Sequence, residues 1–479
     1  MLAILPGLIV ADAAAGSAQK PVMVHYMPWF QSPYSLGAGN WGYHWKMGSL
    51  INPNVVDGSG KRQIASWYYP LIGPYDSLDP AVLEYHVLLM KLGGIDGVIV
   101  DWYGADNYYD YQINNQRTLA LLNFAGKAGL KFSLCYEDAT IAAEISGGSK
   151  NGVYVTAANA VAHAQQTLRY AETNFFTDPG YLRLSNAPVF LNFGPQYFHN
   201  SSDWTSIFSG LNVTNQPAFF PLDNRLSPVS AGAFDWPPMW MSTGGTLSSN
   251  QLQTYLVSFE QKAGAWPDFV SSAFPRFHDF YAQSGAGSSY GYLDDAGGIT
   301  FADTLRRSLT NSSALVQLVT WNDFGEGTVI EPTQEFGFRD LGCLQDFRRQ
   351  YSDPNFPYHT NDLGLALRFY NLRKQFGNSA PIAAELDRIF GRLVSGDVAI
   401  ANQRMTGIES NQPAIYNLTS NSNQIQFSIG GYLASTVLVQ MSTNLVDWQT
   451  VQTYPASTNP PIFTTSTTQS MCRFFKVHL

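Results

Sequence analysis

Residues Leu318–Pro332 read LVTWNDFGEGTVIEP. The stretch closes an apolar run that begins at Ala314, so its first part has the texture of a buried strand near its end. Two carboxylates, Asp323 and Glu326, then follow among glycines and aromatics. A strand that delivers acids at its carboxyl end is what a (β/α)₈ barrel uses, because the functional face of that fold lies there.

Working back from this point, apolar runs alternate with helical patterns. The expected strands are VMVHYMP, DGVIVDWYG, LKFSLCYED, APVFLNFGP, QPAFFPLD, AGAFDWPP, DFVSSAFPRF and ALVQLVTWND. Helical patterns lie between most of them. The clearest is PAVLEYHVLLMKLGG, with Asp79 as N-cap, Pro80 at its first position and Gly93–Gly94 at its end. Strands alternating with helices imply parallel pairing, since a parallel crossover needs a covering element. The runs are continuously apolar, as expected when both faces are covered. Eight such units over about 300 residues fit a (β/α)₈ barrel, with its last strand ending at Trp321 or Asn322. A doubly wound sheet is the alternative.

Two more helices, DLGLALRFYNLRKQFG and IAAELDRIFGRLVSG, should pack beside the barrel. Beyond Arg404 the chain turns rich in Ser, Thr, Asn and Gln, with short alternating strands such as NQIQFSIG and TVLVQMST. The expected organisation is a barrel over residues 19–405 and a small β-sandwich over 411–479. At the front, Leu2–Val10 is apolar and Ala13–Ala18 is small, so residues 1–18 resemble a signal peptide lacking its basic start. That implies a secreted, periplasmic or cell-surface protein. No other stretch is long and apolar enough to span a membrane.

The net charge is −9 and no basic run occurs, which disfavours nucleic acid as a partner. Aromatics make up 14% of the chain, enough to line a cleft that stacks on sugar rings as well as a core. Three cysteines without a C-x-x-C pair exclude the common zinc and dithiol motifs. There is no G-x-S-x-G, H-E-x-x-H, P-loop or dinucleotide fingerprint. No cofactor or metal is expected, and a monomer is.

The strand ends gather the candidate residues: His25 and Tyr26, Asp101 and Trp102, Glu137 and Asp138, Asn192, Asp223, Arg276 and His278, then Asn322, Asp323 and Glu326. In a barrel these converge on one cup. Tyr26 and Trp102 are expected to hold sugar rings there, with Glu137, Asn192, Asn322, Asp101 and His278 as further substrate-binding residues. Cleaving a glycosidic bond takes one carboxylic acid to protonate the leaving oxygen and a second carboxylate opposite. Acids three residues apart on a loop can lie roughly 5 to 9 Å apart, which suits that chemistry. The competing interpretation of Asp323 and Glu326 is structural, one acid capping a helix and one bound to an arginine.

The segment WNDFGEGTVIEP resembles the signature of glycoside hydrolase family 99, which reads N-E-W-H-E-G-T-x-I-E-P. It also resembles that of family 71, T-W-N-D-[FY]-G-E-S. VHYMPWF, YYPLIGPYDSLDP, GIDGVIVDWYG and CYED match family 99 and its relatives in the same order, across nearly the whole barrel. Both families are (β/α)₈ enzymes acting on α-linked glycans. Family 99 implies endo-α-mannosidase or endo-α-mannanase activity with retention, and family 71 implies endo-α-1,3-glucanase activity. By motif position, Asp323 is the base or assisting acid and Glu326 the general acid. Asp323 stands where family 99 has Glu, and Phe324-Gly325 replaces Trp-His, whereas GTVIEP follows family 99. The resemblance implies a polysaccharide or oligosaccharide substrate. The competing class is a catalytically silent glycan-binding barrel.

Overall fold

The computed structural model describes residues 20–421, 423–467 and 472–479. The expected signal peptide lies outside them. Seven parallel strands form the barrel wall: Val22–Tyr26, Gly97–Trp102, Lys131–Tyr136, Ala187–Asn192, Ala218–Pro221, Val270–Ala273 and Leu315–Leu318, and the short strand Arg183–Leu184 adds to the same sheet antiparallel to Ala187–Asn192. The first pairs with both the second and the last, Val22 opposite Val316 and Met23 opposite Gly97. The remaining gap, between Ala218–Pro221 and Val270–Ala273, is closed by one residue. Phe234 makes parallel bridges to Leu222 on one side and Val270 on the other. The expected sixth strand AGAFDWPP is thus reduced to a single ladder position, its prolines being unable to extend the ladder. The fold is a (β/α)₈ barrel with a small C-terminal β-domain.

The last barrel strand ends at Leu318, earlier than expected. Its chain still runs beside the first strand, because the Trp321 amide donates to His25 O at 2.6 Å. The helix Pro80–Gly93 begins and ends as its sequence dictates. The Asp79 side chain accepts from the Ala81 amide, and Gly94 takes the left-handed conformation at φ 89°. The helices Ala139–Gly147 and Arg339–Tyr351 are not evident in the sequence. The second lacks a side-chain cap and buries Asp340, Gln345 and Arg348 among few apolar positions, so its apolar periodicity is weak.

Two hydrophobic layers follow from strand alternation. Val22, Val24, Val98, Val100, Leu134 and Phe190 face outward to the helices. Met23, Ile99, Cys135, Val189, Leu191 and Val270 fill the barrel interior. After the final helix, Val398–Glu409, two three-stranded antiparallel sheets enclose Phe427, Ile429, Val437, Val439 and Phe463. This sandwich joins the barrel through Glu385, which receives the Gly431 amide at 2.9 Å and Arg404 Nη1 at 3.1 Å. No helix among the described residues is long and apolar enough to cross a membrane.

Candidate active site

The same alternation decides which strand-end residues meet. Met23 and Ile99 point inward, so His25 and Asp101 do too, and the next inward position after Cys135 is Glu137. These side chains border a cavity of about 530 Å³ at the barrel mouth. Asp223, Asp323 and Glu326 complete its acidic lining. Trp29, His44, Tyr103, Trp236, Trp240 and Tyr281 supply rings around it. Five acids therefore share one cavity, and its lining holds no lysine or arginine.

Crowding and burial push these carboxyls toward their neutral forms. Burial, then the charges of Glu137 and Asp323, hold Asp101 well above the usual carboxylate range. Burial and Asp138 raise Glu137 to about 8. Burial, then Asp323, raise Glu326 well above its ordinary value, although Tyr281 donates to its Oε1 at 3.0 Å. Burial raises Asp323 to about 6. Its charge is supported by backbone amides, Glu326 N donating to Oδ1 at 3.0 Å and Gly325 N adding to it. The loop thus folds back on its own acid. His25 is pushed down to about 3 by burial, and burial also lowers His44, so both imidazoles are neutral at pH 7.

Several expected binding residues lie elsewhere. Tyr26 and Trp102 follow His25 and Asp101 by one position and therefore point outward. Tyr26 is fully buried, its hydroxyl 3.0 Å from His86 Nδ1. Trp102 is buried against Tyr136, Tyr170 and Phe175 and donates to Asn115 Oδ1 at 3.0 Å. Neither borders the cavity, so the expectation of sugar stacking on them is corrected. Asn192 is buried outside it, donating to Asp138 Oδ1 at 3.2 Å. Asn322 clamps the end of the first strand instead of facing substrate. Its Oδ1 accepts from Met27 N at 2.8 Å, and its Nδ2 donates to Met27 O and the Tyr75 hydroxyl at 3.0 Å. His278 stacks on Trp67 at 4.5 Å, away from the cavity, while its amide donates to Glu326 O at 2.8 Å. Arg276 is committed to Asp340 and to Val329 O, which fixes the segment after Glu326.

A buried chain links these residues behind the cavity. Tyr75 donates to Glu331 Oε2 at 2.8 Å, Glu331 Oε1 lies 3.2 Å from His86, and His86 meets Tyr26. Glu331 of the GTVIEP segment thereby serves to hold the acid loop in place.

The residues that sequence reasoning missed are loop aromatics. Trp29 stacks on His44 at 4.2 Å, Tyr281 holds Glu326, and Trp240 stands at the rim. Only the high aromatic content hinted at them.

No protein-family model matches the chain. Over 328 residues it is 22% identical to glycoprotein endo-alpha-1,2-mannosidase of Mus musculus, covering 64% of this chain and 66% of the mouse protein, just under two thirds of its length. A solved structure of GH99 endo-alpha-mannosidase from Bacteroides thetaiotaomicron aligns with a TM-score of 0.51 at 19% identity, over 69% of this chain and 98% of that one. A second structure of that enzyme, in complex with bis-tris-propane, aligns with a TM-score of 0.50 at 19% identity over 68% and 97%. At such identity the likeness is one of fold, and the shared fold is the GH99-like barrel.

Proposed function

We propose that this chain is a secreted, endo-acting glycoside hydrolase that cleaves α-linked glycans of the α-mannan or α-glucan type. Residues 19–405 would be its catalytic domain and 411–479 an accessory β-sandwich. The observation that carries the proposal is the division of labour within one acid-lined cavity: Asp323 has its charge supported by backbone amides of its own loop, while burial and the charge of Asp323 push Glu326 beside it toward its neutral form.

Glu326 is the general acid. Tyr281 occupies Oε1, which leaves Oε2 to carry the proton that the leaving oxygen takes as the glycosidic bond breaks. Asp323, ionised at neutral pH, is the base, or assists attack by the sugar's own hydroxyl. Burial and the charge of Glu137 push Asp101 toward its protonated form, and burial and Asp138 do the same to Glu137, raised to about 8, so both are placed to donate O–H bonds to sugar hydroxyls. An acid-lined cavity without cationic side chains favours a neutral glycan over a sulfated or uronic one. The rings of Trp29, Trp236 and Trp240 offer the apolar faces that sugar rings pack on.

The test is a screen of α-mannans and α-glucans for released oligosaccharides, followed by Glu326→Gln and Asp323→Asn. Each substitution should cut turnover by about 10²- to 10⁴-fold. A substrate with an activated leaving group, which needs no protonation, should partly restore Glu326→Gln but not Asp323→Asn. Wild-type turnover in both variants would make the pair structural and move the chemistry to other acids of the cavity, whereas binding of a glycan with no oligosaccharide released from any would leave a glycan-binding barrel.

A further inference from the structure

A second cluster of ionisable groups lies outside the catalytic cavity, on the next side of the barrel. Asp106 sits in the loop that follows the strand Gly97–Trp102, Glu144 on the helix Ala139–Gly147 and His163 on the helix Ala160–Ala171. Three separate elements thus bring one ligand atom each to a common point. His163 Nε2 is 3.0 Å from Asp106 Oδ2 and 3.2 Å from Glu144 Oε2, and the three atoms all lie within 4.8 Å of one another.

These contacts are poor as hydrogen bonds. The imidazole has a single Nε2–H and faces two carboxylate oxygens. Both His163 Nε2 and Glu144 Oε2 are buried without a hydrogen-bond partner. Glu144 is only 2% exposed, so its carboxylate has no solvent to turn to. A buried carboxylate left without a donor is costly, and such groups ask for an explanation.

The spacing fits a shared cation. Two ligands about 2.0 to 2.2 Å from one ion, at tetrahedral or octahedral angles, lie roughly 3.0 to 3.5 Å apart. The two short separations fall in that range. Beside the cluster, a second cavity of about 270 Å³, bordered by Asp106, His163 and Gln166, leaves room for water ligands.

We propose that Asp106, Glu144 and His163 form a binding site for a divalent transition-metal ion. One imidazole with two carboxylates suits Zn²⁺ or Mn²⁺ better than Ca²⁺ or Mg²⁺, which prefer all-oxygen shells. No short motif joins the three ligands, because whole elements separate them along the chain.

The site would serve the barrel mouth by position. Asp106 belongs to the loop that also carries Tyr103 in the catalytic cavity and Asp110, whose Oδ2 lies 3.6 Å from His44 Nε2. An ion tying this loop to two helices would stiffen that wall of the cavity. The inference stands apart from the hydrolase proposal, since metal binding and glycan cleavage are measured separately.

The experiment uses the full chain without an affinity tag, stripped with a chelator and exchanged into clean buffer. Titration calorimetry with Zn²⁺ and with Mn²⁺ should show saturable binding of one ion per chain, and the melting temperature should rise as the site fills. His163→Gln and Asp106→Asn should each weaken binding by about tenfold or more. Asp106 is partly exposed on a loop, so its amide variant keeps the test valid if the histidine variant folds poorly. Saturable binding that either substitution weakens supports the site. Absence of saturable binding by the wild type, or binding that both variants leave unchanged, overturns it and reduces the cluster to an ion triad.

Discussion

The mouth of the barrel and the seam between barrel and sandwich both bury acids, in opposite ways. At the seam, Glu385 is fully buried, yet it accepts from Arg404, Arg388 and the Gly431 amide. At the mouth, five acids crowd one cavity without a single lysine or arginine. The contrast even divides consecutive residues. Asp138 is buried under the amides of Gln196, Tyr197 and Phe198, which fix a loop, whereas Glu137 faces the cavity and is raised to about 8. A buried acid whose donors are complete holds the architecture. One left short of donors is kept for a ligand or a reaction.

The sharpest way to break this contrast is to neutralise both kinds of acid. Glu326→Gln and Asp323→Asn should lose about 10²- to 10⁴-fold in turnover while still folding. Asp323→Asn should melt at or above the wild type at pH 7. A carboxyl whose folded value is raised, here from 3.8 to about 6, gives stability below the lower value that is lost as pH rises through the higher one. The amide removes that penalty. Glu385→Gln should do the reverse, costing about 3–5 kcal/mol in denaturant unfolding because Arg404 is left uncompensated, with little effect on turnover per folded molecule. A lower melting temperature in Asp323→Asn than in Glu385→Gln would undo the distinction.

Trp102 tests the assignment of faces. Trp102→Ala should cost about 3–5 kcal/mol of stability, as expected for a tryptophan removed from packed surroundings. A melting temperature near that of the wild type would return it to the cavity. The pH profile sharpens the division of roles. kcat/KM should fall as pH drops through about 6, where Asp323 takes up its proton. A profile flat to well below that value would remove Asp323 as the working base. The smallest effect is expected at the rim. Trp240 is 69% exposed, so Trp240→Ala should leave the melting temperature unchanged and raise KM by an amount equivalent to about 0.5–1.5 kcal/mol. An unchanged KM would place the sugar path elsewhere.

Much of this was legible in the chain itself. Alternating apolar runs and helical patterns are local features, so the barrel, the first cap at Asp79 and the place of Asp323 and Glu326 beyond the last strand could be read directly. The parity of the strand ends could not. Both faces of a barrel strand are buried, so the sequence shows a continuous apolar run in place of an alternation, and nothing in it says whether His25 or Tyr26, Asp101 or Trp102, points inward. That choice belongs to the closed sheet, which turned Tyr26, Trp102 and Asn192 to its outer side and brought Asp101 and Glu137 to the acid pair. The loop aromatics, the amides that hold Asp323 and the meeting of Asp106, Glu144 and His163 are likewise tertiary, since each depends on segments distant in the chain being brought together in space. Local physics determined the elements and the strand ends at which chemistry gathers. Only packing decided which side chains share the cavity, because burial and charge crowding exist only once the chain has closed on itself.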